Sequence, residues 1–126
     1  MELQKGIRSV KDLKVYNLAF RLSMLIFECS KRFPKEETYS LTDQIRRSSR
    51  SVTSNIREGY AKRKYQKVFI AHLVDALGSS EESRVWLEYA NACQYISSKE
   101  FNELDTQYGE LSAMLNSLSE KWQTYK

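Results

Sequence analysis

Apolar residues recur at helical spacing in four successive segments, separated by short breaks, with no low-complexity tract or repeated block between them. The first segment covers residues 10–32 and closes at Phe33-Pro34, because proline lacks an amide hydrogen and drives the preceding residue out of helical geometry. The second covers residues 40–60; Ser40 can cap it while Asp43 reaches back to the Ser40 amide. The third begins at 64–66 and runs to about 96, with Gly78 and Ser79-Ser80 lowering helix propensity in its middle. The fourth opens on Ser97-Ser98-Lys99-Glu100, in which Ser97 and Glu100 have capping-box spacing, and continues to 123. Four helices with short connections predict an all-α chain, an antiparallel up-down four-helix bundle that uses residues 1–126 as one domain.

The fourth segment has the cleanest pattern. Phe101, Leu104, Tyr108, Leu111, Leu115, Leu118 and Trp122 alternate three- and four-residue steps, a heptad seam that predicts one wall of the core, with Glu103, Glu110 and Glu120 facing water. The first segment differs. Leu13, Tyr16, Phe20, Met24 and Phe27 form one stripe, while Val15, Leu18, Leu22, Leu25 and Cys29 form another on nearly the opposite side. A helix in a lone bundle needs one buried stripe, so the second, carried by Val15, Leu18, Leu22 and Leu25, is expected to be covered by another subunit or by a partner helix, and a homo-oligomer is predicted. A centrally placed helix covered by its own neighbours is the alternative.

The second segment sorts its residues by type. Leu41, Ile45, Ser48, Ser49, Val52, Ile56 and Gly59 share one side; Arg46, Arg47, Arg50 and Arg57 fall in the opposite half. Lys62, Arg63, Lys64 and Lys67 follow, so residues 42–67 carry eight basic side chains against Asp43 and Glu58. Guanidinium forks bind phosphate bidentately, and a helix holds four of them in register, as a surface reading a nucleic-acid backbone requires. Tyr60 and Tyr65 flank the lysine cluster and can stack on unpaired bases. A solvated basic face that meets acidic helices of a neighbouring subunit is the competing reading. Ser48 and Ser49, with Ala76 and Ser80 on the third segment, predict a close helix crossing, and Asn55 and Glu58 are placed to hydrogen-bond a neighbouring helix.

Charge is distributed to match. The net charge is +4, but residues 1–67 carry 16 Lys/Arg against 7 Asp/Glu and residues 68–126 carry 4 against 9, so a half at +9 adjoins a half at −5. Such polarity suits an anionic partner or self-association of opposite faces. With 41% hydrophobic residues the chain can fill one core, whereas one proline and four glycines are too few to punctuate an all-β fold. No apolar run is long enough to span a bilayer and the polar start lacks a secretory segment, so the expected location is the cytoplasm.

Candidate catalysis is sparse. The single histidine, His72, has Phe69 three positions before it, so the Glu-x-x-His motif of di-iron bundles is absent. Cys29 and Cys93 lie 64 positions apart without a second ligand cluster and are expected as reduced packing residues. The few glycines include no phosphate-cradling loop. No enzyme activity, metal or cofactor is expected.

Arg32-Phe33-Pro34-Lys35-Glu36-Glu37, then Leu41-Thr42-Asp43-Gln44-Ile45-Arg46-Arg47 and Ser51-Val52-Thr53-Ser54-Asn55-Ile56-Arg57-Glu58-Gly59-Tyr60, closely resemble the four-helix-bundle proteins encoded in 23S rRNA intervening sequences, also called S23 ribosomal proteins. Lys11-Asp12-Leu13, Ala76-Leu77-Gly78-Ser79 with Glu82, and Tyr95-Ile96 extend the resemblance over nearly the whole chain; Ser-Asn-Ile-x-Glu-Gly-Tyr is its most specific part. Arg50 and Arg57 stand where small or apolar residues are expected in many members, which makes this helix the more basic. The resemblance implies a homopentameric ring, as in the related accessory variability proteins of diversity-generating retroelements, which bind nucleic acid and a reverse transcriptase through basic surfaces. The resulting expectation is a non-enzymatic homo-oligomer that binds RNA in preference to DNA through Arg46, Arg47, Arg50, Arg57, Lys62, Arg63, Lys64 and Lys67. A scaffold that recruits a protein such as a reverse transcriptase, without touching nucleic acid, is the alternative.

Overall fold

Leu13 is extended (φ −84°, ψ 120°) and separates a short 3-10 turn, Val10–Asp12, from the first long helix, so the first segment is not one continuous helix. The turn is fixed by a reciprocal cap: Ser9 Oγ accepts from the Lys11 amide at 3.2 Å, and the Asp12 carboxylate accepts from the amides of Arg8 and Ser9 at 2.7 and 3.0 Å. The computed structural model describes residues 6–123, and all long elements among them are helices: α1 (Lys14–Ser30), α2 (Leu41–Ala61), α3 (Gln66–Ala92) and α4 (Ser98–Gln123).

The helix ends show which sequence signals operate. Pro34 is extended and ends the α1 region as expected. Ser40 stands at the α2 N-terminus, but its hydroxyl donates to Glu37 Oε1 at 2.6 Å instead of capping, and the same carboxylate oxygen accepts from the Leu41 amide at 3.2 Å. Glu37 therefore does the capping expected of Ser40 and Asp43. Helix α3 passes through Gly78 and the serines unbroken and stops at Ala92, four residues earlier than expected, because Gln94 turns the chain with φ 63° and the Tyr95 amide returns to the Ala90 carbonyl at 2.9 Å. At α4 the Glu100 amide donates to Ser97 Oγ at 3.0 Å, the expected cap.

Contacts between helices establish an antiparallel up-down order. Late α2 meets early α1 where Arg57 donates to Tyr16 Oη at 3.2 Å; Asn55 of α2 meets His72 of α3 while Ser48 meets Ser83; and Gln66 of α3 reaches the Trp122 carbonyl while Arg84 binds Asp105 of α4. One core runs through all four, from Val15, Ala19, Leu22 and Ile26 to Ile45, Val52 and Ile56, then Phe69, Leu73 and Leu87, and finally Tyr108, Leu111 and Leu115. Each large apolar side chain so buried contributes about 1.5–3 kcal/mol. The α4 seam is buried as its heptad predicts, apart from a half-buried Phe101.

Between α2, α3 and α4 the core turns polar and thin. Ser48 Oγ lies 2.9 Å from Ser83 Oγ, Ser51 Oγ 2.9 Å from Ser79 Oγ, and Ser80 Oγ 2.9 Å from Ser112 Oγ. Small hydroxyl side chains let the backbones approach, and pairing satisfies groups whose burial would otherwise cost free energy. This is the close crossing read from Ser48, Ser49, Ala76 and Ser80, with Ser83 and Ser112 added by the fold.

The outward side of α1 corrects the expected interface. Val15 and Leu22 are buried in the chain's own core, with Ala19, Ile26 and Cys29, and Leu18 is half-buried against it. Residues 15, 19, 22, 26 and 29 repeat at helical spacing around small Ala19, and that row packs more closely on the bundle than one led by Phe20 and Met24. Those two are exposed, and Leu25 remains at the surface beside α4. The interface assignment of Val15 and Leu22 is thus overturned.

Candidate nucleic-acid interface

Helix α2 carries its arginines on two different sides. Ile45, Ser48, Ser49, Val52, Ile56 and Gly59 are buried, as the pattern requires, and the charged residues are held away from that row. Arg46, Arg50 and Arg57 project toward α1, where they meet aromatic rings. The Arg46 guanidinium lies 4.9 Å from the centre of the Phe27 ring and Arg50 lies 5.9 Å from it; Arg57 lies 5.8 Å from the Tyr16 ring and donates to its hydroxyl. Arg47 is exposed on the outer side.

The stacking has a physical use. A cation over a ring gains about 0.5–1 kcal/mol at an exposed site, enough to hold a long side chain in register without neutralising its charge. Arg46 goes further inward than expected: half-buried, it donates from Nε to Ser30 Oγ at 2.8 Å and so serves the α1–α2 contact. Phe27 also carries Lys31, whose Nζ is 4.7 Å from the ring centre and 3.3 Å from Glu28.

The turn after α2 supplies the second group of cations. Lys62, Arg63, Lys64 and Lys67 are exposed. Arg63 stacks on Tyr60 at 4.0 Å and donates to the Tyr60 carbonyl at 3.0 Å; Lys64 lies 5.8 Å from the Tyr65 ring. Tyr60 cannot stack on a base as read from the sequence, because it is buried with its ring edge-on to Phe69 at 6.3 Å. Tyr65 is 63% exposed and keeps that capacity.

None of the eight basic residues takes part in a salt bridge among the described residues, where the bridging cations are Lys31, Arg32 and Arg84. The contrast with Arg84 is direct. Its guanidinium binds Asp105 through Nε at 2.8 Å and Nη2 at 3.2 Å and also meets Glu81, and these bonds push its pKa up further. Cationic charge is spent internally on the α3–α4 contact and left available along α2 and its turn.

The aromatic row of α1 is one of the two stripes legible in the sequence, but its pairing with the α2 arginines is not. Tyr16 and Phe27, at i and i+11, meet the arginines and Phe20, at i+4, stands uncovered between them, where the stripe by itself predicts core positions. A run of aromatics opposite a run of arginines on the next helix was the available signal.

The cysteines and histidine are accounted for structurally. Cys29 is buried, which pushes its thiol up to about 11, and Cys93 is exposed beyond α3 rather than packed. His72 Nδ1 lies 3.0 Å from Asn55 Oδ1 at the α2–α3 crossing. Glu58, also expected to bond a neighbouring helix, is exposed. Among the described residues no helix is long and apolar enough to cross a membrane.

The family described as 23S rRNA-intervening sequence protein matches residues 11–117. A crystal structure of a protein of unknown function from the S23 ribosomal protein family of Bacteroides thetaiotaomicron superposes with a TM-score of 0.76 at 25% sequence identity, covering 83% of this chain and 97% of that one. No curated protein matches the chain.

Proposed function

Since the chain belongs to the 23S rRNA-intervening sequence protein family, we propose that it is a homo-oligomeric, non-enzymatic bundle that binds nucleic acid, RNA in preference to DNA, through α2 and the turn after it. The observation that carries this reading is the set of eight basic side chains, Arg46 to Lys67, with no carboxylate partner among the described residues. Seven are exposed, and stacking on Tyr16, Phe27, Tyr60 and Tyr65 steadies several without discharging them. Polyanion binding needs such a surface, since affinity comes from phosphates displacing counterions.

Self-association is assigned to the outer side of α3 in place of the buried α1 residues. Val74, Val85 and Tyr89 are exposed there, on a helix whose other side fills the core. A ring closed through such a face suits the pentamer.

Salt titration is the test. Affinity for RNA is expected to fall log-linearly with salt, with a slope of about −0.7 per phosphate contact for a single strand. Replacing Arg47, Arg50, Arg57 and Lys62 with glutamine flattens that slope and weakens retention. Absence of affinity even at low salt overturns the proposal in favour of a scaffold that recruits a protein partner.

A further inference from the structure

Phe20 is 52% exposed in the middle of α1, on the row that contains Tyr16 and Phe27. Both neighbouring rings are covered by guanidinium groups, Tyr16 by Arg57 and Phe27 by Arg46 and Arg50, while no cation lies over Phe20 among the described residues. The helical rise places Phe20 about 6 Å along α1 from Tyr16 and about 10 Å from Phe27. An uncovered aromatic ring is thereby bracketed by Arg57 on one side and Arg50 on the other. Met24, one turn on, is 46% exposed and extends the apolar floor.

An occupant must bring a flat apolar face to the ring and negative charge to its flanks. A second copy of this chain seated face to face would oppose arginine with arginine, and like charges so juxtaposed are penalised. Arg21, exposed and next to Phe20 in sequence, adds to that repulsion. A nucleic-acid duplex supplies phosphates but keeps its bases stacked inside, so the ring would gain nothing. An unpaired nucleotide supplies both, a π face for stacking and phosphates on either side.

We propose, building on the nucleic-acid reading above, that the α1–α2 face selects unpaired over paired strands: a base stacks on Phe20 while Arg50 and Arg57 hold the flanking phosphates. Phe20 is the specificity-determining residue, and the arginines contribute affinity common to both kinds of strand.

Fluorescence anisotropy with a labelled oligouridylate and a labelled RNA duplex of equal length tests this at one low salt concentration. The oligouridylate is expected to bind more tightly; Phe20→Ala weakens it by about fivefold or more, a stacking contribution, and leaves the duplex affinity unchanged, while Phe20→Trp retains the preference. Equal loss of both affinities in Phe20→Ala, or equal wild-type affinities, overturns the inference but leaves nucleic-acid binding standing. Absence of binding to either probe overturns both. Light scattering on the same variant covers the remaining case: if Phe20→Ala dissociates the oligomer without altering strand preference, the ring belongs to a self-association surface and the inference is wrong.

Discussion

Gly59 of α2 lies directly against His72 of α3: a Cβ added at position 59 would stand 2.6 Å from His72 Cβ and 3.0 Å from Phe69 Cδ1. One turn earlier, Asn55 Oδ1 is 3.0 Å from Nδ1 of the same histidine. The Ser-Asn-Ile-x-Glu-Gly-Tyr stretch is therefore a docking edge, in which the amide meets the histidine, the glycine makes room for the His72 and Phe69 side chains and Tyr60 closes the contact edge-on to Phe69.

A glycine pair provides the comparison. Gly59→Ala is expected to destabilise the fold by about 1–3 kcal/mol, since overpacking outweighs the gain in helix propensity. Gly78 has nothing within 4 Å of an added Cβ, so Gly78→Ala should stabilise by about 0.5–1 kcal/mol. Urea unfolding of both variants checks the opposite signs.

Arg46 and Arg47 are adjacent but do different things. Arg46→Gln removes the bond to Ser30 and the stack on Phe27, and is expected to cost about 1 kcal/mol of stability. Arg47→Gln leaves the melting curve in place and lowers RNA affinity. Thermal melting beside filter retention separates the two, and a destabilised Arg47→Gln would contradict the exposed position of that side chain.

The bond from Tyr95 Oη to Glu37 Oε2, 2.9 Å, joins the α2 cap to the turn before α4. Bonds from Ser40 and Tyr95 hold the Glu37 carboxyl below its ordinary value of 4.5, while the same carboxylate and desolvation push the Tyr95 phenol from 10.0 up to about 12. A lowered acid stabilises the fold above its unfolded pKa and loses that contribution as pH falls through the folded value; a raised phenol contributes below 10 and loses it as pH rises through about 12. Stability should thus decline at both extremes, and Glu37→Gln should flatten the acid limb. Unfolding midpoints measured across pH, for wild type and variant, check this.

Light scattering addresses the outer row of α3. Wild-type protein is expected as an oligomer at micromolar concentration, and Val74→Lys with Val85→Lys as a folded, smaller species. A monomeric wild type would remove the self-association reading.

Much of the fold is legible in periodicity because burial follows one-dimensional spacing wherever a helix has a single apolar side. The α4 seam and the inward row of α2 are of this kind. Helix α1 is not: two apolar stripes satisfy the same spacing rule, and the choice between them depends on the shape of the groove offered by α2 and α4. The candidate interface was legible in part for the same reason. Lys62, Lys64 and Lys67 are exposed wherever the turn is placed, whereas Arg46 turns inward only because Ser30 and Phe27 come to lie beside it.

The sequence alone determined four helices, their order, the buried side of α2 and α4, and the concentration of positive charge before residue 68, since each depends on local propensity, period or residue identity. Tertiary structure decided which side of α1 faces outward, which cations are left without a carboxylate partner among the described residues, and that the Glu37 cap is tied to Tyr95, because those outcomes require side chains distant in sequence to be brought together.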